Sequence, residues 1–148
     1  MRDLIILTGP TAVGKTALSI GLAKAVNGEI ISADSMQVYK KMDIGTAKIT
    51  AAEMQGVKHH LIDILDPSED FNVVLFKEYA LKAMEDIYSR SRIPIIVGGT
   101  GFYIQALLYD IDFEENDNDM SYREELQNLA SLHGNNYIHD MLGKVDPE

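Results

Sequence analysis

A chain of 148 residues has room for one domain, or for one domain and the start of another. Its apolar share of 46% is that of an ordinary globular protein, and the absence of cysteine excludes disulfides and thiolate metal sites. The net charge of −10 argues against nucleic acid as a partner for the whole surface, yet the acid is uneven: Glu114, Glu115, Asp117, Asp119, Glu124 and Glu125 cluster late, while Lys15, Lys24, Lys40, Lys41 and Lys48 leave room for a basic face early.

No apolar run approaches the roughly 20 residues of a membrane span. The first apolar run, Leu4 to Leu7, is too short for a signal peptide and leads straight into a glycine-bearing loop, so a cytoplasmic protein without membrane contact is expected by default. That run reads as a buried strand. It is followed by Gly9-Pro10-Thr11-Ala12-Val13-Gly14-Lys15-Thr16, which fits the phosphate-loop pattern G-x-x-x-x-G-K-[ST]. Glycines at both ends let successive N–H groups turn inward around an anion. The helix that opens near Lys15 adds unpaired amides and the positive end of its dipole. Lys15 supplies a point charge, and the Thr16 hydroxyl is the expected ligand for Mg²⁺. A ligand-free glycine turn is the bland alternative, and the agreement of strand, loop and helix weighs against it. The pattern does not say which phosphorylated molecule is held.

The helix is expected to reach about Val26, with Asn27-Gly28 as its C-cap. Glu29 to Ser32 reads as a second strand that delivers Asp34 to its end. Strand ends in parallel α/β sheets face the ligand crevice, so Asp34 is a candidate general base, a metal ligand, or a cap for the turn Ser35-Met36-Gln37. Met36 to Ala47 has no clean period and reads as loop. Thr50 to Glu53 is a capping box opening a short helix. His60 to Ile64 reads as a short strand, and Asp63 is a weak candidate for a Walker-B-like aspartate. Adjacent residues of a strand point opposite ways, so His59 and His60 argue for a core or hydrogen-bonded histidine rather than a metal site.

Phe71 to Ser91 carries Val73, Phe76, Ala80, Ala83 and Ile87 on one helical stripe. Ile93 to Val97 is another buried strand, with Pro94 tolerable at a first ladder position. Gly98-Gly99-Thr100-Gly101 then turns into a helix over Phe102 to Leu108. It is either a tight turn with closely packed backbones or a second ligand-facing loop offering the Thr100 hydroxyl. After Asp112 the composition changes. Asn116 to Asp119 reads as a polar linker, the acidic run around it as solvated, and Ser121 to His133 and Asn136 to Gly143 as helices. The expected organisation is an α/β core over 1–112, a P-loop NTPase-like three-layer fold with a mostly parallel sheet, and the start of a small helical insertion domain over 113–148. Four strands are few for such a fold, and the remaining strand is expected in sequence beyond this chain.

Taken in order, Gly9 to Thr16, Ser32 to Tyr39, Asp43 to Lys48, His59 to Asp63 and Gly98 to Tyr103 resemble the tRNA dimethylallyltransferase (tRNA isopentenyltransferase) family over residue 4 to about 148. The resemblance implies transfer of a five-carbon prenyl group from dimethylallyl diphosphate to N6 of the adenine next to the anticodon of tRNA, by an enzyme expected to be a monomer. It implies that Thr11 to Thr16 grip the donor's diphosphate with Mg²⁺ at Thr16, and that Asp34 is the general base. Asp34, Ser35, Met36 and Gln37 would cradle the flipped adenine, Thr100 would stand in the tRNA-contacting wall, and Arg123 would be a tRNA-contacting arginine of the inserted helical domain. Family members are longer, and their later diphosphate-holding arginines have no counterpart here. Phe102 and Ile49 stand where the family often has leucine and proline. The alternative from another class is a P-loop small-molecule kinase that binds ATP, which would need a base on a hydroxyl substrate and a lid arginine.

Overall fold

The computed structural model describes residues 2–111 and 120–147. The described residues divide into two compact units, with the division between residues 112 and 113. The linker and acidic run expected between Glu114 and Asp119 lie outside the described residues.

The first unit is a three-layer α/β structure. Four parallel strands, β1 (Ile5–Thr8), β2 (Gly28–Ala33), β3 (His59–His60) and β4 (Ile93–Gly98), stand in the order β1-β4-β2-β3. Side chains alternate across the sheet. Ile30 and Ile95 turn to one face and pack with Ile20 and Ala23 of α1 (Lys15–Ala25). Ile31, Ala33 and Ile96 turn to the other and pack with Phe76, Ala80, Ala83 and Ile87 of α3 (Val73–Ser89), joined by Tyr103 and Ile104 of α4 (Gly101–Leu108). The stripe expected on the long helix is the one it buries. Its start is fixed by Asn72, whose side chain accepts from the Leu75 amide at 3.0 Å.

Several local expectations are sharpened. The end of α1 does not use a glycine in the left-handed region: Asn27 takes that conformation, at φ 51°, and Gly28 opens β2. A Cβ on Gly28 would stand 2.8 Å from the Ile93 carbonyl oxygen, so glycine is needed there for strand contact. The third strand has two residues, not five, because Leu61 and Asp63 adopt positive φ of 62° and 55° and end the pleat. Pro94 is the second residue of β4, opposite Glu29. It is tolerated in this central strand because pairing with β1 begins only at Ile95. The capping box forms as expected at α2 (Ala51–Met54), with Thr50 and Glu53 exchanging bonds.

At the N-terminal end of the sheet, Glu29 is buried, with its side chain 2% exposed. His60 Nε2 lies 2.7 Å from its Oε2, Arg90 donates to both oxygens at 3.2 and 2.8 Å, and Arg92 donates at 3.2 Å. Burial pushes the Glu29 pKa up, but the hydrogen bonds from Arg90 and His60 outweigh it and hold the carboxyl below its ordinary value. His60 is thus a hydrogen-bonded histidine, as expected for the pair.

The second unit contains α5 (Met120–His133) and α6 (Asn135–Val145), joined at Gly134, whose φ is 84°. The rings of His133 and Tyr137 meet at 4.7 Å across that turn. No described helix is long and apolar enough to cross a membrane.

Candidate functional site

A cavity of about 610 Å³ opens at the C-terminal ends of β1, β2 and β4. One wall is the loop from Gly9 to Thr16. Gly9, Ala12 and Gly14 have φ of 155°, 64° and 90°, so three positive-φ residues curl the backbone into a concave turn. Gly14 is the N-cap of α1 and offers no side chain to its amides, and no acid stands in the first turn. The first backbone bond of the helix runs from Leu18 N–H to the Gly14 carbonyl, which leaves the preceding amides without an intrahelical acceptor. Lys15 Nζ donates to the carbonyls of Gly9 at 2.7 Å and Pro10 at 2.5 Å. Two of its three protons fix the ammonium across the loop, and one remains for a ligand. The exposed Thr16 lines the cavity, and its hydroxyl donates to no described residue.

The second wall starts where β2 ends. Asp34 lines the cavity, and its Oδ1 accepts the amides of Met36 at 2.8 Å and Gln37 at 3.1 Å. The cap for the turn over Ser35 to Gln37 is therefore present. Oδ2 accepts no bond from the described residues, so the carboxylate fixes its turn with one oxygen and keeps the other. Gln37 lines the cavity as well, held by donation from its Nε2 to the Thr46 carbonyl at 3.2 Å.

Backbones pack closely at the end of β4, and the turn that follows brings Thr100 to the cavity. A Cβ on Gly98 would lie 2.2 Å from the Ala33 carbonyl oxygen, so β2 and β4 approach as closely as they do only because position 98 has no side chain. Thr100 lines the cavity and is the N-cap of α4, yet its hydroxyl makes no capping bond.

The cavity thus gathers Gly9, Pro10, Thr11, Ala12, Gly14, Lys15, Thr16, Asp34, Gln37 and Thr100. Four expected residues, Val13, Ser35, Met36 and Arg123, do not line it. Val13 is 59% exposed, and Met36 is exposed with its amide donating to Asp34. Arg123 is exposed on α5, in the second unit. Asp63 is not a Walker-B-like residue: its Oδ1 accepts from Lys48 Nζ at 2.5 Å, and it does not line the cavity. The positive φ at Asp63 turns its side chain out of the register a strand would have given it.

The floor was not legible. Ile30, Ile49, Ile62 and Val97 form an apolar lining with His59. Burial lowers the His59 pKa, and its Nδ1 lies 2.9 Å from the Val57 carbonyl, so the imidazole is neutral and donates through Nδ1. Tyr103, buried against Phe76 with ring centres 4.6 Å apart, has its phenol pKa raised by burial and then by the charges of Tyr39 and Asp34. Only the alternation of β2 and β4 hinted at Ile30 and Val97, and nothing local marked Tyr103.

The sequence model of the IPP transferase family matches residues 37–148. The chain belongs to that family. A tRNA dimethylallyltransferase from Lachnoclostridium phytofermentans is 65% identical over 147 residues, which are 99% of this chain and 47% of the relative. The crystal structure of the full-length tRNA isopentenylpyrophosphate transferase from Bacillus halodurans superposes with a TM-score of 0.76 at 51% identity, over 100% of this chain and 49% of the other. A eukaryotic dimethylallyltransferase acting on tRNA superposes with a TM-score of 0.75 at 38% identity, over 99% of this chain and 36% of that one. This member of the IPP transferase family spans about half the length of the curated relatives it matches. The matched span, which begins at Gln37, contains Thr100 and Arg123, whereas the phosphate loop and Asp34 precede it. Membership removes the ground for the kinase alternative.

Proposed function

We propose that this chain carries the donor grip and the base of a tRNA prenyltransferase, which moves a dimethylallyl group from dimethylallyl diphosphate to N6 of the adenine next to the anticodon. The observation that carries the reading is one cavity that joins a ring of backbone donors and an ammonium to a carboxylate with an uncommitted oxygen.

The loop amides and Lys15 hold the diphosphate. As the carbon–oxygen bond of the donor breaks, its electron pair leaves on the diphosphate, and the same donors stabilise the growing charge. The new carbon–nitrogen bond uses the lone pair of the adenine N6 amine. That amine is a weak nucleophile, and Oδ2 of Asp34 accepts its proton as the bond forms. The adenine reaches the cavity only when flipped out of its stack. Gln37 and Thr100 stand on the side of Asp34 where the base would be received, and the capped turn over Ser35 and Met36 supports that side. Arg123 contributes charge for tRNA from the helical unit.

The donor set suits Mg²⁺, since Thr16 offers one hard oxygen beside the phosphate grip, and such ions take one or two protein oxygens with the rest from phosphates and water. Mg²⁺ bound there would neutralise part of the charge on the leaving diphosphate.

The test is Asp34→Asn, assayed in a protein of the relatives' full length that carries this chain, with labelled donor and tRNA. Transfer should fall about 10²- to 10⁴-fold while inorganic pyrophosphate binding changes by no more than about twofold. Loss of pyrophosphate binding together with transfer would refute the role given to Asp34.

A further inference from the structure

The wall of the cavity that carries Asp34 and Gln37 contains no helix and no named strand between Ala33 and Thr50. Its stretch 37–40 is tied to 63–65 by backbone bonds, the amides of Asp63, Ile64 and Leu65 donating to Gln37 and Val38 and that of Lys40 donating to Leu65, but 41–49 pairs with no strand. Lys48 sits behind the wall, and its side chain is 4% exposed. Lysine is almost never buried this far unless its charge is paired. All three protons of its ammonium are used: Nζ donates to the Tyr39 carbonyl at 2.6 Å, to Asp43 Oδ1 at 2.9 Å and to Asp63 Oδ1 at 2.5 Å. These acceptors belong to three segments, the turn after β2, the loop that returns toward α2, and the turn after β3.

The same three segments line the cavity, through Gln37, Thr46, Ala47 and Ile62. A series of hydrogen bonds links the residues around the ammonium to the cavity surface. The Asp63 amide donates to the Gln37 carbonyl at 3.2 Å, the Gln37 amide donates to Asp34 Oδ1 at 3.1 Å, and Gln37 Nε2 donates to the Thr46 carbonyl at 3.2 Å. The backbone here is also strained. Lys41, Ala47, Leu61 and Asp63 all have positive φ, at 64°, 47°, 62° and 55°. Conformations of that kind persist only where surrounding contacts over-determine them. Burial lowers the pKa of Lys48, but the bonds to Asp63 and Asp43 outweigh it, so the group stays charged.

We infer that Lys48 is a positioning residue: its buried ammonium clamps three irregular segments into the acceptor side of the cavity, and it acts on the reaction through Gln37 and Asp34 without touching the donor's diphosphate. The inference rests on the proposed function for what the wall receives. The clamp itself rests on geometry alone.

The experiment compares Lys48→Met with the parent chain by amide hydrogen exchange, inorganic pyrophosphate titration and binding of an anticodon stem-loop RNA. The clamp predicts exchange at 36–49 and 61–65 at least about tenfold faster, with α1 and α3 unchanged. It predicts pyrophosphate affinity within about twofold of the parent, and RNA affinity reduced at least about tenfold. Lys48→Arg should recover part of both losses. Unchanged exchange in the two segments overturns the inference, and so does loss of pyrophosphate binding in the folded variant. If Lys48→Met does not fold, Asp63→Asn replaces one charged acceptor by a neutral one at a half-exposed position and must show the same pattern more weakly; exchange at parental rates there overturns the inference. A parent chain that binds neither pyrophosphate nor RNA defeats the proposed function instead, and the exchange pattern still judges the clamp.

Discussion

The two walls of the cavity are built on opposite plans. The wall from Gly9 to Thr16 is strand, loop and helix in direct succession, and its shape comes from backbone: three positive-φ residues, a bare helix start, and a lysine tied to two carbonyls of its own loop. The wall opposite is irregular chain held by side chains, with Asp34 fixing one turn and Lys48 bonded to three segments. An anion can be gripped by generic amide dipoles, which any sequence supplies once the backbone curls. A base that must be placed against one carboxylate needs specific side chains, and these come from distant parts of the chain. The difference explains why one short stretch suffices for the first wall, whereas the second draws on Ser32 to Tyr39, Asp43 to Lys48 and His59 to Asp63 together.

The strongest way to break the comparison is to strike where both walls share a foundation. Gly98→Ala would drive a Cβ to 2.2 Å from the Ala33 carbonyl oxygen, between the strands that deliver Asp34 and Thr100. Backbone cannot yield as a flexible side chain does, so we expect a loss of about 3 kcal/mol or more in urea unfolding, and weaker binding at both walls. Gly98→Ala with parental stability would show that the strands are not pinned there.

The second prediction separates stability from the site. Glu29 lies at the other end of the sheet, and Glu29→Gln should cost roughly 2 kcal/mol, less than a fully enclosed pair because Arg90 and Arg92 keep access to water. Its folded pKa is depressed below the ordinary 4.5. The stabilisation is therefore full above that value and lost as pH falls through the folded pKa, because the unfolded chain binds the proton first. Urea midpoints taken downward from pH 5 should fall for the parent and fall less for Glu29→Gln, while pyrophosphate binding at neutral pH is the same in both. Parallel pH profiles would remove Glu29 from the acid response.

The smallest effect sharpens the comparison from the phosphate side. Lys15→Met removes one charged donor and leaves the loop amides, so pyrophosphate affinity should fall about 10- to 100-fold. Exchange at 36–49 should not change, since no bond from Lys15 reaches that wall. Equal binding by the variant would place the phosphate elsewhere.

Much of the site was legible where function is written in consecutive residues. The Gly9 to Thr16 loop, the strand-end position of Asp34 and the hydroxyl at Thr100 could each be placed from the local pattern. The third strand was read too long because Leu61 and Asp63 leave the extended conformation, and an apolar run gives no warning of that. Glu29 gave no sign either: within an apolar strand it reads as an ordinary acid, and its partners stand 31 to 63 residues away. Gly28 looked like a cap because Asn-Gly commonly ends helices, whereas strand packing decided its role.

By itself the sequence determined the alternation of strands and helices, the apolar stripe of the long helix, and a glycine-bearing loop between the first strand and its helix, because these depend on periodicity and on backbone freedom over a few neighbours. Only the tertiary structure decided that Lys48 and Glu29 would be buried charges, that Tyr103 would stand near Asp34, and that isoleucines and a neutral His59 would floor the cavity. Those outcomes turn on which remote groups meet in a place from which water has been expelled, and no local spacing encodes that meeting.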